Sequence, residues 1–312
     1  MNPTLLGLHH VTAMCGDPQA NIDFYTGKLG LRLVKLTVNF DDPQTYHLYY
    51  GDGLGSPGSL ITFFAWPGAM RGRRGAGQPT VTAYAAPDAS IPFWQERLNV
   101  GELDDRFGER VLSFEDPDGM KLEIIGTTNG DARQPWDQSS VPVEHGLRGF
   151  HSVTLTEKEF ASTALLLTET LGFKQTNESG NRRRFAPSVL APGGVRTYID
   201  VVEDGDARHG TMGVGTVHHI ALRTPDDPQQ AAWLERITQR GLNVSPVMDR
   251  KYFHSIYFRE PAGVLFEIAT DPPGMTVDEP LEKLGGGLYL PPWLEPHRKE
   301  LETVLPPVKL PT

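Results

Sequence analysis

Short apolar runs rich in β-branched residues recur along the chain, each broken within a few residues by Gly, Pro or Asp. Runs of this length and punctuation predict strands joined by turns. Strands are expected at Leu8–Thr12, Tyr46–Tyr50, Leu60–Trp66, Arg110–Phe114, Val195–Val202 and Tyr252–Phe258. Helices are expected between them. Asp17-Pro18 caps one that Gly30 ends. Asp227-Pro228 caps another, with Ala231, Leu234 and Ile237 as its apolar stripe and Gly241 as its stop. Ser90-Ile-Pro opens a third, and a fourth runs from Thr156 to Leu171.

The pattern repeats. Phe114-Glu-Asp-Pro-Asp-Gly-Met-Lys-Leu-Glu123 matches Phe258-Arg-Glu-Pro-Ala-Gly-Val-Leu-Phe-Glu267, and Arg106 precedes Glu123 as Arg250 precedes Glu267. Gly7-Leu-His-His-Val-Thr12 matches Gly149-Phe-His-Ser-Val-Thr154, and Thr80-Val-Thr-Ala-Tyr-Ala85 matches Thr216-Val-His-His-Ile-Ala221. Unit starts therefore fall near residues 9, 81, 151 and 217, a period of about 70. Each unit reads strand, helix, then three strands. The expected class is α+β: four βαβββ units in two domains, 1–131 and 146–272, with a linker over 132–145 and a tail over 273–312. The tail carries a short helix, Pro296 to Leu305. With Leu288, Tyr289, Leu290 and Trp293 it is too apolar to be free, and should pack on a domain or on a partner subunit.

Composition narrows the function. Lys and Arg number 29 against 39 Asp and Glu, a net charge of −10. Such an acidic chain is a poor candidate for binding nucleic acid or an anionic membrane surface. No apolar run approaches the roughly 18 residues of a membrane span. Met1–Gly16 lacks the basic start and apolar stretch of a secretion signal, so a cytoplasmic location is expected. The single Cys15, expected to be a buried small residue, excludes an internal disulfide and a thiolate metal cluster. A metal would have to be held by His and carboxylates. The Gly/Arg-rich stretch Gly68–Gly77 reads as a solvated connection, with a lid as the alternative. Arg182-Arg-Arg184 reads as a solvated strand face, with an anion site as the alternative.

His9-His10 and His218-His219 open equivalent strands. Side chains alternate across a strand, so one His of each pair should face the inside of a curved sheet. Glu267, near the end of a unit, could reach the same interior. Two imidazoles and one carboxylate on rigid strands form the facial triad of non-haem ferrous sites, with positions left open. In the repeat, Ala83 stands at the place of His219, Ser152 at that of His10, and Glu123 at that of Glu267. One half thus carries the scaffold without the ligands.

Leu8-His-His-Val-Thr12, Tyr46-His-Leu-Tyr-Tyr50, Val217-His-His-Ile220, Asp249-Arg-Lys251 and Gly263-Val-Leu-Phe-Glu267 resemble the vicinal oxygen chelate superfamily of glyoxalases, bleomycin-resistance proteins and extradiol dioxygenases. Within it, the chain is most similar to the hydroquinone ring-cleaving dioxygenases, typified by 2,6-dichlorohydroquinone 1,2-dioxygenase and the bacterial quinone-resistance dioxygenases. The likeness runs over nearly the whole chain. It implies two vicinal-oxygen-chelate domains, each with a curved mixed sheet, and metal ligands at His10, His219 and Glu267. It places His9, Thr12, His218, Arg250 and Tyr257 around the metal. Thr12 is expected to face the substrate. His9 or His218 would take the substrate's proton, by direct reach through a bulge or as a support from behind. Tyr257 or Arg250 would stabilise charge developing on oxygen. The implied cofactor is Fe(II), with Mn(II) as the alternative. The implied partners are a small aromatic substrate and dioxygen; apart from the resemblance, a homodimer or higher homo-oligomer is expected, with the apolar tail as a surface for a partner subunit. Two other readings compete: a glyoxalase-like isomerase or lyase using Zn(II) or Ni(II), which brings a fourth protein ligand, and a non-enzymatic quinone- or drug-binding protein, which needs no triad. A para-hydroquinone cannot chelate one metal through both oxygens. A second polar group would have to hold its remote hydroxyl.

Overall fold

Four units of one design follow one another along the chain, and they pair out of sequence order. The structure, a computed structural model, describes residues 3–128 and 131–311. The first unit is β1 (Leu8–Cys15), α1 (Pro18–Ile22), β2 (Arg32–Asn39), β3 (Asp42–Gly51) and β4 (Leu60–Ala65). The second is β5 (Gln78–Pro87), α2 (Ile91–Leu98), β6 (Asp104–Arg106), β7 (Glu109–Glu115) and β8 (Lys121–Thr127). The third is β9 (Phe150–Glu157), α3 (Ala161–Leu165), β10 (Phe173–Ser179), β11 (Arg182–Pro187) and β12 (Tyr198–Glu203). The fourth is β13 (Val217–Thr224), α4 (Asp227–Gln239), β14 (Met248–Asp249), β15 (Phe253–Arg259) and β16 (Leu265–Pro273). The short helix α5 (Arg298–Val304) lies in the tail. The α+β class, the four βαβββ units and two mixed sheets are as the sequence predicts.

Each sheet has eight strands. One runs β14-β15-β16-β13-β1-β4-β3-β2, the other β10-β11-β12-β9-β5-β8-β7-β6. In every unit the first strand pairs parallel with the last, and the sheets are joined at their centres by antiparallel pairs of first strands, β1 with β13 and β5 with β9. The first unit therefore shares a sheet with the fourth, and the second with the third. The expected division at 132–145 does not separate the sheets, because each draws one unit from either side of it. A repeat shows which segments are alike. The seam between two first strands is a contact between distant segments, and no local pattern encodes it.

Local signals explain the helix ends, with three adjustments. Asp17 caps α1, accepting from the amides of Gln19 at 2.8 Å and Ala20 at 3.3 Å, with Pro18 at the first helical position; beyond Ile22 the helix continues with π-type bonding over Asp23–Lys28 and stops before Gly30, the expected end. In α4 the cap is Asp226, which accepts from Gln229 N at 3.0 Å. The expected cap Asp227 lies inside the helix and accepts instead from Nδ1 of His254 at 2.6 Å. The buried face of α4 is Gln230, Trp233 and Ile237, turned from the expected stripe so that the large indole enters the core. The third unit's helix starts at Ala161, because Thr156 and Glu157 extend β9. The Gly68–Gly77 stretch is a connection. It runs beside the matching connection of the other half through bridges Arg71–Val214, Arg73–Thr211 and Ala76–His209.

Strand alternation sorts the first sheet into two faces. Val11, Ala13, Cys15, Leu48, Ile61, Phe63, Ile220, Ile256, Phe266 and Ile268 enter the main apolar core. Their neighbours His10, Thr12, His47, Tyr49, Thr62, His219, Ser255, Tyr257 and Glu267 point the other way, into the hollow of the sheet. The tail packs on this sheet, as expected. Tyr289 N donates to Leu36 O at 2.9 Å, and Leu290, Leu301 and Leu305 are buried. The buried Lys35 ammonium donates to Asp278 at 2.7 Å and to Glu279, and lies over the rings of Tyr252 and Tyr289. No helix of the described residues is long and apolar enough to cross a membrane.

Candidate metal centre and cavity

The centre of the hollow is the seam of β1 and β13. His10 comes from one strand and His219 from the other, and their Nε2 atoms are 3.2 Å apart. Glu267, on β16 beside β13, brings Oε2 to 3.2 Å from the first and 2.9 Å from the second. All three side chains are buried. Among the described residues this is the one group of three or more His, Cys, Asp or Glu side chains whose ligand atoms converge, all within 4.8 Å.

Each imidazole is oriented from behind. Nδ1 of His10 is 2.9 Å from Nδ1 of His9, and Nδ1 of His219 is 2.8 Å from Nδ1 of His218. A nitrogen held in this way fixes the ring and leaves the other nitrogen to face the centre. The ladder explains how neighbours of opposite parity meet. Between the pairs Leu8–Leu222 and His10–Ala221, the strand β1 has His9 as an extra residue. Between Thr12–His219 and Ala13–Val217, the strand β13 has His218 as an extra residue. Two bulges, related by the local two-fold of the sheet, swing each preceding His against its neighbour. His218 lines the cavity, whereas His9 lies behind, edge-on to Phe253. The carboxylate is held too: Ser255 Oγ donates to Glu267 Oε1.

Electrostatics follow from this crowding. Burial and the adjacent His10 hold His9 well below the usual imidazole range. Burial and His219 hold His218 down to about 3. Burial also lowers His219, against the pull of Glu267. Burial pushes Glu267 up, but His10 and His219 together keep it well below the usual carboxylate range. Glu267 Oε2 is a buried oxygen with no hydrogen-bond donor, and it faces two imidazole nitrogens. Two imidazole nitrogens and one carboxylate oxygen converging on one point suit a divalent first-row cation.

Over the centre lies a cavity of about 300 Å³. Phe40, Phe64, Trp66 and Phe253 give it aromatic walls. Arg250 and Tyr257 stand on the side of the triad, with Arg250 Nε donating to the Tyr257 hydroxyl oxygen at 3.2 Å and Nη2 donating to Asp41 at 3.0 Å. Thr12 faces the cavity with its hydroxyl 2.8 Å from that of Thr62. Every residue singled out in the sequence thus lies in this one region. His47 and Tyr49, on the opposite wall, were not singled out as site residues. Their alternation with the core residues Tyr46, Leu48 and Tyr50 was the signal that placed them on the same face as the triad.

The second sheet is built alike and holds different chemistry. Its central seam pairs Ser152 with Ala83 and Thr154 with Val81, as His10 pairs with Ala221 and Thr12 with His219. Ser152 thus stands where His10 does, as expected, but the position of His219 is filled by Val81 and not by Ala83. The sequence match slips by two residues, which preserves alternation and so leaves no mark in the pattern. Glu123 is bound by Arg106, and Asp200, at the related place on β12, by Arg182 and Arg184. Arg184 is buried and Arg182 is half-buried, both paired with Asp200, so these two do not form the solvated face expected.

The same logic applied within the first sheet locates a fourth position. Ala221 pairs with Glu267 on one side of the seam, and Thr12 with Thr62 on the other. Thr62 therefore occupies the place related to Glu267. No fourth carboxylate or amide stands there.

A model of the glyoxalase/bleomycin resistance protein/dioxygenase superfamily matches residues 7–124 and 149–268. The chain belongs to that superfamily. Relatives extend over the full length. A Bacillus subtilis protein, MhqO, provisionally named a ring-cleaving dioxygenase, is 45% identical over 309 residues, covering 98% of this chain and 97% of its own. The chlorohydroquinone/hydroquinone 1,2-dioxygenase of Sphingobium indicum is 41% identical over 308 residues, covering 95% of this chain and 94% of its own. A crystal structure from B. subtilis, described provisionally as a dioxygenase, superposes with a TM-score of 0.93 at 44% identity, covering 99% of both chains. Glyoxalase I from Zea mays shares the superfamily fold, with a TM-score of 0.63 at 15% identity over 85% of this chain and 92% of its own.

Proposed function

We propose that the protein is a ring-cleaving dioxygenase for substituted hydroquinones, of the extradiol type, with Fe(II) held by His10, His219 and Glu267. The observation that supports it most is the convergence of those three side chains beneath an aromatic-walled cavity of about 300 Å³. The names of full-length relatives point to the same reaction. Mn(II) would satisfy the same ligands. A divalent cation held by His10, His219 and Glu267 would supply Lewis acidity toward a phenol oxygen and a redox link between an electron-rich ring and dioxygen.

The chain's own groups define the rest. Two neutral imidazoles and one carboxylate leave a divalent centre with net positive charge, which favours an anionic phenolate. Phe40, Phe64, Trp66 and Phe253 enclose the ring and exclude water. If His219 presents Nε2 to the centre, its Nδ1 proton is donated to His218. His218 then carries its own proton on Nε2, toward the cavity. It acts as a donor to a substrate oxygen there, in place of the proton-taking role the resemblance suggests. His9 supports His10 from behind in the same way. Tyr257 accepts from Arg250, so its hydroxyl proton is free for the cavity, with the guanidinium charge behind it. Together these two can stabilise negative charge developing on oxygen.

The absence of a carboxylate or amide at Thr62 counts against the four-ligand isomerase reading. A binding protein would have no use for the triad. Mass analysis after incubation with isotopically labelled dioxygen tests the class. A ring-opened product carrying both labelled oxygen atoms supports the dioxygenase. A product of unchanged mass returns the site to the isomerases.

A further inference from the structure

We propose that Tyr49, fixed by His47, receives the ring hydroxyl remote from the triad and so selects para-hydroquinones over phenols and catechols. This rests on the dioxygenase reading of the site. A ring bound through one oxygen at the triad turns its opposite end to the far wall of the hollow. That wall is β3, two strands from β1 in the sheet order and on the side away from β13 and β16. His47 and Tyr49 point from it into the cavity.

The two are set by a run of hydrogen bonds. Tyr49 OH is 3.0 Å from His47 Nδ1, His47 Nε2 is 2.9 Å from Thr62 Oγ1, and Thr62 Oγ1 is 2.8 Å from Thr12 Oγ1. Both nitrogens of His47 are used, so the imidazole cannot itself take a ligand. Its ring is fixed in orientation at both ends, and it fixes Tyr49 in turn. The Tyr49 oxygen has one partner among the described residues and retains capacity for another. Nearby, Asn39 Oδ1 accepts from Asp41 N and Asp41 pairs with Arg250, which leaves the Asn39 amide nitrogen as the other donor on this wall. Burial holds the Tyr49 phenol well above its usual range, so it remains a hydroxyl that can both give and accept a hydrogen bond.

Selectivity follows. A site built to bond a hydroxyl discriminates against the analogue lacking it, because the remaining hydrogen-bonding capacity of its buried group is left unused. A phenol has no remote hydroxyl. A catechol has its second hydroxyl adjacent to the first, pointing away from Tyr49.

Binding without turnover tests this. Hydroquinone and phenol are titrated calorimetrically into the Fe(II)-loaded protein under strict exclusion of oxygen, for wild type, Tyr49→Phe and His47→Gln, with melting curves as a folding control. Wild type should bind hydroquinone about tenfold more tightly than phenol. Tyr49→Phe should erase most of that ratio by weakening hydroquinone and leaving phenol nearly unchanged. His47→Gln should shift the ratio the same way by a smaller factor, and decides the matter if Tyr49→Phe does not fold. A wild type that binds hydroquinone, with variants that weaken both ligands alike or neither, overturns the role of Tyr49 and leaves the dioxygenase reading standing. A wild type that binds no hydroquinone overturns both.

Discussion

Arg106 donates two hydrogen bonds to Glu123, at 2.6 and 2.9 Å, at the place in the second sheet where Glu267 faces two imidazoles in the first. A guanidinium thus neutralises the carboxylate that the other sheet reserves for a cation. The pair is internal, since Glu123 is buried and Arg106 nearly so. Arg106→Met leaves that carboxylate buried and uncompensated, which should destabilise the fold by about 3–5 kcal/mol. Metal content should stay at the wild-type level. Denaturant unfolding and elemental analysis of the same preparation check both halves of the statement.

Ser255 gives the converse prediction. Its hydroxyl holds the oxygen of Glu267 that turns away from the imidazoles. Ser255→Ala should leave the fold intact and weaken metal affinity by about 10–100-fold. His10→Ala and Glu267→Gln should abolish tight binding. Competition with a fluorescent chelator reads all three. Equal affinity in wild type and His10→Ala would remove the triad from the account.

How far the sequence could be read depends on what each feature writes into it. The triad residues were legible because they sit at equivalent places in repeated units, where His10 and His219 contrast with a half that lacks them. Helix ends were legible to within a residue or a few, since caps such as Asp17-Pro18 are local. The pairing of the first unit with the fourth was not, because seam contacts between β1 and β13 join distant segments. The exchange of Ala83 for Val81 is of the same kind, since a slip of two residues leaves strand parity unchanged. The bulges at His9 and His218 left open whether those rings reach the cavity, and only the ladder decides it. His47 and Tyr49 were within reach of the alternation rule, but a lone His on a strand gives no reason to prefer chemistry over packing.

Glu157 contributes one pH dependence to stability. Both of its carboxylate oxygens are buried without a partner, and burial with Glu260 nearby raises its pKa from 4.5 to about 8. The folded state therefore keeps a proton that the unfolded chain releases above 4.5. The stability linked to this proton is complete below 4.5 and is lost as pH rises toward and through about 8. Glu157→Gln cannot ionise and should not show the loss. Its melting temperature should gain on wild type by several degrees between about pH 6 and about pH 9. Parallel melting curves across that range would contradict the assignment.

Oxygen uptake decides whether this site is a dioxygenase. The protein is purified without air and loaded with Fe(II), and hydroquinone is added to an oxygenated chamber. A dioxygenase consumes one dioxygen for each hydroquinone, yields a ring-opened product, and loses this uptake in His10→Ala. An iron-loaded wild type that consumes no oxygen with either hydroquinones or catechols would contradict the dioxygenase reading.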